Sequence, residues 1–135
     1  MKSIQRTARF AGVLYLVITI AAIVAHIYMP SQIIIPEDAA ATVNNITGSA
    51  ALFRVGGVGS ELIILLSELV LAIVLYVLLK PVNKTLSLIA AVSRLIMTTV
   101  HGFNLINYFF VLTLVSGAGF LSAFDAGQIN SLVML

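Results

Sequence analysis

The sequence predicts an all-α integral membrane protein: a helical bundle of three transmembrane helices plus one short interfacial helix on the outer side. Three observations carry that prediction. Of 135 residues, 61% are hydrophobic and 9% charged, whereas soluble domains carry about 25% charged residues. Mean hydropathy is +1.15. The apolar residues also gather into three runs, each long enough to cross a hydrocarbon core of about 30 Å at about 1.5 Å per helical residue. This composition excludes a soluble enzyme, a nucleic-acid binder and a disordered tail. It gives a single membrane domain over residues 1–135. Cysteine is absent, which removes disulfides, thiolate metal sites and cysteine nucleophiles. Tryptophan is absent too, so any interfacial belt rests on Tyr and Phe.

The first predicted span is 10–29, with Pro30 as its end. Lys2, Arg6 and Arg9 precede it, as in a signal peptide, but the run is long for one and no A-x-A site follows, so it reads as a retained anchor. The second span is 55–79, closed by Lys80 and Pro81. The third is 86–116, longer than a bilayer needs, so it tilts or projects, and Gly117-Ala118-Gly119 ends it. All three prolines, Pro30, Pro36 and Pro81, are placed outside the spans. The tail 117–135 finishes in Leu132-Val-Met-Leu135, which reads as the opening of another apolar helix.

Charge placement sets the orientation. Lys2, Arg6, Arg9, Lys80 and Lys84 flank one side, while the 30–51 loop has no Lys or Arg but carries Glu37 and Asp38. The positive-inside rule makes the N-terminus and the 80–85 loop cytoplasmic in a cell (inner) membrane, with the loop and C-terminus outside. Within the loop, Pro36-Glu37-Asp38 before Ala39-Ala-Ala-Thr-Val reads as a helix start, with acids against the positive dipole end. That short helix is expected to cap the bundle, or else to act as a gating lid. Asn45-Ile-Thr47 matches a glycosylation acceptor, a pattern frequent by chance.

The chemistry lies in ionisable residues inside the spans. Arg54, Glu61 and Glu68 are seven apart, as are Arg94, His101 and Tyr108, with Thr98, Asn104 and Asn107 beside the latter. Seven residues turn a helix by about 700°, so each set is expected on one face. Tyr15, Thr19, Ala22 and His26 form a milder stripe on the first span. A charge at a helix centre costs roughly 2.5–3.5 kcal/mol, so two glutamates cost the second span about 5–7 kcal/mol. Its sixteen Val, Leu and Ile residues offset roughly 5–10 kcal/mol at about 0.3–0.6 each. The acids should therefore face protein, paired or protonated. Counted from the cytoplasmic loop, Glu68 lies about 18 Å deep and Arg94 about 15 Å, while Glu61 lies about 28 Å and His101 about 25 Å. Two cross-helix contacts follow, Glu68 with Arg94 and Glu61 with His101, and His26 falls at the level of the second.

These buried polar residues, Glu61, Glu68, Arg94, His101 and Asn104, leave three readings open. The first is a structural or accessory module, not an enzyme and without cofactor, in which charge pairs set helix register. The second is a proton- or ion-conducting, transporter-like bundle using Glu61, Glu68 and His101. The third is a haem or metal redox module through His26 and His101, where adding Glu61 completes a set suited to iron or zinc. In Gly56-Gly57-Val-Gly59-Ser60, Gly56 and Ser60 form a small-xxx-small pair that permits close helix contact, and Gly102 offers the same on the third span. No Gly-Lys-Ser/Thr accompanies the glycines, so a phosphate loop is excluded. Three helices enclose little polar space, so the expected partners are lipid and either further copies of the chain or additional helices, with no nucleic acid.

Several segments together resemble one family. They are Thr7-Ala-Arg-Phe-Ala-Gly-Val-Leu-Tyr-Leu, Ile35-Pro-Glu-Asp-Ala-Ala-Ala-Thr, Leu52-Phe-Arg54, Leu75-Tyr-Val-Leu-Leu-Lys-Pro-Val-Asn83 and Arg94. The chain resembles the uncharacterised multi-pass bacterial membrane proteins known as domain of unknown function 4386. The resemblance implies further membrane helices after a stretch like Phe124-Asp-Ala-Gly-Gln-Ile-Asn130, so that this chain corresponds to the N-terminal portion of a longer bundle. It implies no catalytic residues.

Overall fold

Three long helices follow the three apolar runs in a computed structural model, which describes residues 2–134 and the side chains of all but Lys2 and Phe120 among them. They span Ser3–Ile33, Ala50–Leu79 and Lys84–Leu114, each long and apolar enough to cross a membrane. No strand occurs among the described residues. The protein is thus an all-α membrane bundle. The second span packs against both others along most of its length. Two shorter helices, the loop helix Ala39–Gly48 and the C-terminal helix Ala126–Val133, pack against each other beside the ends of the spans.

The first helix departs from the expectation at Pro30, which lies inside it. A π-type stretch, Val24–Tyr28, precedes the final α segment Met29–Ile33 and leaves Pro30 in that segment's first turn. Proline supplies no N–H at this point of a continuous helix, and the Ala25 carbonyl five residues earlier accepts from the Tyr108 hydroxyl instead. Small residues line the contact with the second span: Ala11, Ala21 and Ala25 are buried, and small side chains let membrane helices approach closely. Thr19 is off this seam. It is exposed, and its hydroxyl donates to the Tyr15 carbonyl of its own helix at 2.8 Å, a local bond that needs no neighbour.

The second helix contains another π-type stretch, Phe53–Gly59, before the regular α segment Ser60–Leu79. A π turn takes about one residue more than an α turn, so Arg54 loses the phase expected from its spacing. Arg54 is exposed, whereas Glu61 and Glu68 are buried. Gly56 and Gly57 make the wide turn fit: a Cβ at Gly56 would overlap the Met29 side chain, and one at Gly57 the Tyr108 ring.

Asn83 starts the third helix, its side chain accepting from the N–H groups of Thr85 and Leu86 at 2.9 and 3.1 Å. Ser87 closes the hairpin, donating to the Tyr76 carbonyl at 2.6 Å. The helix ends at Leu114, two residues earlier than expected, and Gly117 adopts φ +67 in the turn that follows. In the loop helix the expected acids sit differently. Asp38 is the N-cap, accepting from Ala41 N–H at 2.9 Å, and Glu37 lies in the preceding turn at φ +67. Thr42 and Asn45 fasten this helix to the end of the first span: Ile35 N–H donates to the Thr42 hydroxyl at 3.0 Å and the Asn45 amide donates to the Ile33 carbonyl at 3.1 Å. Asp125 and Gln128 form a capping box on the C-terminal helix.

Candidate functional site

The polar side chains inside the bundle form two layers. In the inner one, Arg94 Nη1 lies 3.1 Å from Glu68 Oε1. Thr98 donates to Glu68 Oε2 at 3.4 Å, and the Arg94 guanidinium stacks over the Tyr15 ring at 4.6 Å. The layer joins all three spans. Each charge has a counterpart, as burial in lipid requires. Glu68 has 1% of its side chain exposed, so its polar contacts are with these partners and not with solvent.

The outer layer is built differently. Glu61 is fully buried and bridges two histidines: His101 Nδ1 is 3.0 Å from Oε2, and His26 Nε2 is 3.2 Å from Oε1. His26 comes from the π-type stretch of the first helix, and Glu61 follows the π-type stretch of the second by two residues. Such wide turns recur at functional sites. The Tyr108 hydroxyl, also from the third span, donates to the Ala25 carbonyl at 3.1 Å. Its ring packs edge-on to Phe53 at 5.2 Å. One side chain thereby ties both wide turns to the third span, next to His26 and Glu61.

Glu61 Oε1 has no hydrogen-bond partner. His26 Nε2 stands at hydrogen-bonding distance from it but off the axis along which an N–H would reach it. A buried carboxylate oxygen left this way costs several kcal/mol if charged. One Glu61 oxygen and a ring nitrogen from each histidine lie within 4.8 Å of one another. Ligands at about 2.0–2.1 Å from a tetrahedral zinc stand roughly 3.3 Å apart; the two nitrogen–oxygen spacings, each to a different oxygen of Glu61, are 3.0 and 3.2 Å. Two histidines and one carboxylate suit zinc or non-haem iron. A haem does not fit. The two rings, 5.9 Å apart between centroids, both face the Glu61 carboxylate, which stands where a porphyrin plane would have to pass.

A cleft of about 360 Å³ opens beside this layer. His26, Glu61, Asn104, Asn107 and Tyr108 supply its polar side, and Ile33, Ile46, Phe53, Val111 and Val133 its apolar side. Asn104 is part-buried and Asn107 exposed. The sequence offers Glu61, Glu68, Arg94, His101, Asn104 and His26 as candidates. The structure divides them into the two layers, with Asn104 on the cleft wall. It adds Ala25, Gly57 and the apolar wall, none of which carries a chemical signal of its own, although the Gly56-Gly57-Val-Gly59 run marks the wide turn.

One family model matches the chain, over residues 10–135, described as Domain of unknown function (DUF4386). No curated protein and no solved structure matches it.

Proposed function

The chain belongs to the DUF4386 family, and we propose that it is a membrane-embedded metal-binding module, with His26, Glu61 and His101 as ligands to one zinc or iron ion. The carrying observation is the fully buried Glu61 oxygen that no donor satisfies, with two ring nitrogens converging on the same carboxylate. A divalent cation would neutralise the acid and accept a lone pair from each residue. Three protein ligands would leave a further position open on such an ion, as in catalytic rather than structural zinc sites. In this reading the Glu68–Arg94 layer is a register lock that holds the ligands at one depth.

The experiment is metal analysis of the detergent-purified protein after loading with Zn²⁺ or Co²⁺. The expected result is one ion per chain, with affinity reduced on the order of a hundredfold or more by His26→Ala, Glu61→Gln or His101→Ala, and unchanged by Asn107→Ala. Equal binding in all these variants refutes the assignment. A second reading is proton conduction, favoured by the two histidine nitrogens that stand within 3.2 Å of the Glu61 carboxylate beside a cleft. It requires proton flux in liposomes that Glu61→Gln abolishes and that chelators leave intact.

The positive-inside argument supports an inner-membrane location with the N-terminus and the 80–84 turn cytoplasmic. Lys2, Arg6, Arg9, Lys80 and Lys84 gather at one end of the hairpin, and Glu37 and Asp38 near the other. Only 11–22% of the most apolar window of each span is buried within the chain. This supports lipid contact over most of the surface, with room for further copies or helices.

A further inference from the structure

We propose that the cleft beside the outer layer takes an amphiphile with a carboxylate head and a short hydrocarbon tail, the head reaching the metal and the tail lying along the apolar wall. The inference rests on the metal-binding reading, because the head group needs the cation. Three observations carry it.

The first is the division of the cleft. Asn104, Asn107 and Tyr108 line it together with Glu61 and His26, and apart from Thr42, whose hydroxyl donates to the Asp38 carbonyl, the remaining lining is apolar: Ile33 and Ile46 from the first span and loop helix, Phe53 from the second span, Val111 from the third and Val133 from the C-terminal helix. Small-molecule sites have this character, an apolar lining with a few placed polar groups, and volumes of about 300–1,000 Å³. At about 360 Å³ the cleft admits a head group and several carbons, not a whole phospholipid.

The second is charge. A divalent ion with the Glu61 carboxylate leaves one net positive charge in a low-dielectric site. No Lys or Arg lines the cleft. A monoanion completes the balance, whereas a cationic or doubly anionic head would leave an uncompensated charge.

The third is unused donors. Among the described residues, neither the Asn104 nor the Asn107 amide hydrogen-bonds to protein, and both line the cleft. Each amide offers two N–H donors, fitting the second oxygen of a carboxylate whose first oxygen binds the metal. The Tyr108 hydroxyl is spent as a donor on the Ala25 carbonyl, so it positions the wide turn instead of the head.

The test uses the full chain in maltoside micelles loaded with Co²⁺, whose visible absorption reports its coordination. Acetate, butanoate and octanoate are titrated in turn. The expected result is half-saturation of the spectral change at a concentration at least tenfold lower for octanoate than for acetate, with butanoate between. Val133→Asn, on the peripheral C-terminal helix, should bring octanoate to within threefold of acetate and leave acetate unchanged. Val111→Asn is the second variant and should act alike. Because micelle partitioning of octanoate is the same for every variant, it cannot produce that difference. A Co²⁺ spectrum that responds equally to all three acids, or a chain-length effect that both variants preserve, overturns the proposal while the metal site stands. Absence of a protein-bound Co²⁺ spectrum overturns the metal reading and this inference with it.

Discussion

Arg94→Met tests the inner layer most directly. The substitution keeps an unbranched side chain of similar length but removes the 3.1 Å contact to Glu68 and the cation over Tyr15. Glu68, 1% exposed, then retains only the 3.4 Å bond from Thr98. Removing one partner of a buried ion pair costs about 3–5 kcal/mol, because the other charge remains buried and uncompensated. Replacing both partners by apolar residues is often neutral or stabilising by about 1–4 kcal/mol. Arg94→Met with Glu68→Leu should therefore unfold within about 1 kcal/mol of the parent, or later than it. The three variants and the parent form a thermodynamic cycle whose coupling term isolates the pair. Since the chain has no cysteine, Ser3→Cys and Thr85→Cys provide two unique dye positions, and loss of energy transfer on SDS titration reports separation of the first and third spans. A single variant within 1 kcal/mol of the parent, or a double variant as unstable as the single, refutes the argument that Arg94 compensates a buried charge.

Three further outcomes follow from the geometry. Gly57→Ala places a methyl in the Tyr108 ring and should cost about 2–4 kcal/mol, combining overpacking with a lost hydrogen bond. Gly59→Ala, whose nearest contact would be 3.7 Å away, should be neutral or stabilising by up to about 1 kcal/mol in the same SDS titration. Asp125→Ala removes the capping box and should destabilise the C-terminal helix by about 1 kcal/mol, seen as faster amide exchange over 126–133 with the spans unaffected. For orientation, a membrane-impermeant maleimide should label Thr47→Cys in intact spheroplasts and Thr85→Cys only after permeabilisation; the reverse pattern inverts the topology.

Much of the architecture is legible because lipid imposes a simple code. Long apolar runs become helices, and ionisable residues within them need partners at equal depth. Counting 1.5 Å per residue from a short turn is enough to set Glu68 beside Arg94 and Glu61 beside His101, and the structure brings each pair together. The same counting places His26 at the level of His101 but does not reveal that it shares a carboxylate with it. What the periodicity misses is local departure from 3.6 residues per turn. Arg54 shares the seven-residue spacing of Glu61 and Glu68, and a π-type stretch turns it outward. Pro30 reads as a stop, yet its place in the first turn after the other π-type stretch leaves it inside the helix. The cleft is illegible for a different reason. Its apolar wall draws on residues as distant in sequence as Ile33 and Val133, and no spacing rule links them.

The two wide turns also separate the upper and lower halves of the bundle. Below them, the α segments hold the Glu68–Arg94 layer in a fixed angular setting. Above them, each chain segment enters with its own rotation. Regular winding of 53–59 at unchanged length would swing everything N-terminal to it by about 100°, carrying Arg54 toward the bundle interior above Glu61. A positive charge would then compete for the carboxylate that now faces two histidines. The winding of that stretch thus chooses between two internal chemistries for the outer half, a buried ion pair or a site for a cation, while the anchoring half below is left as it is.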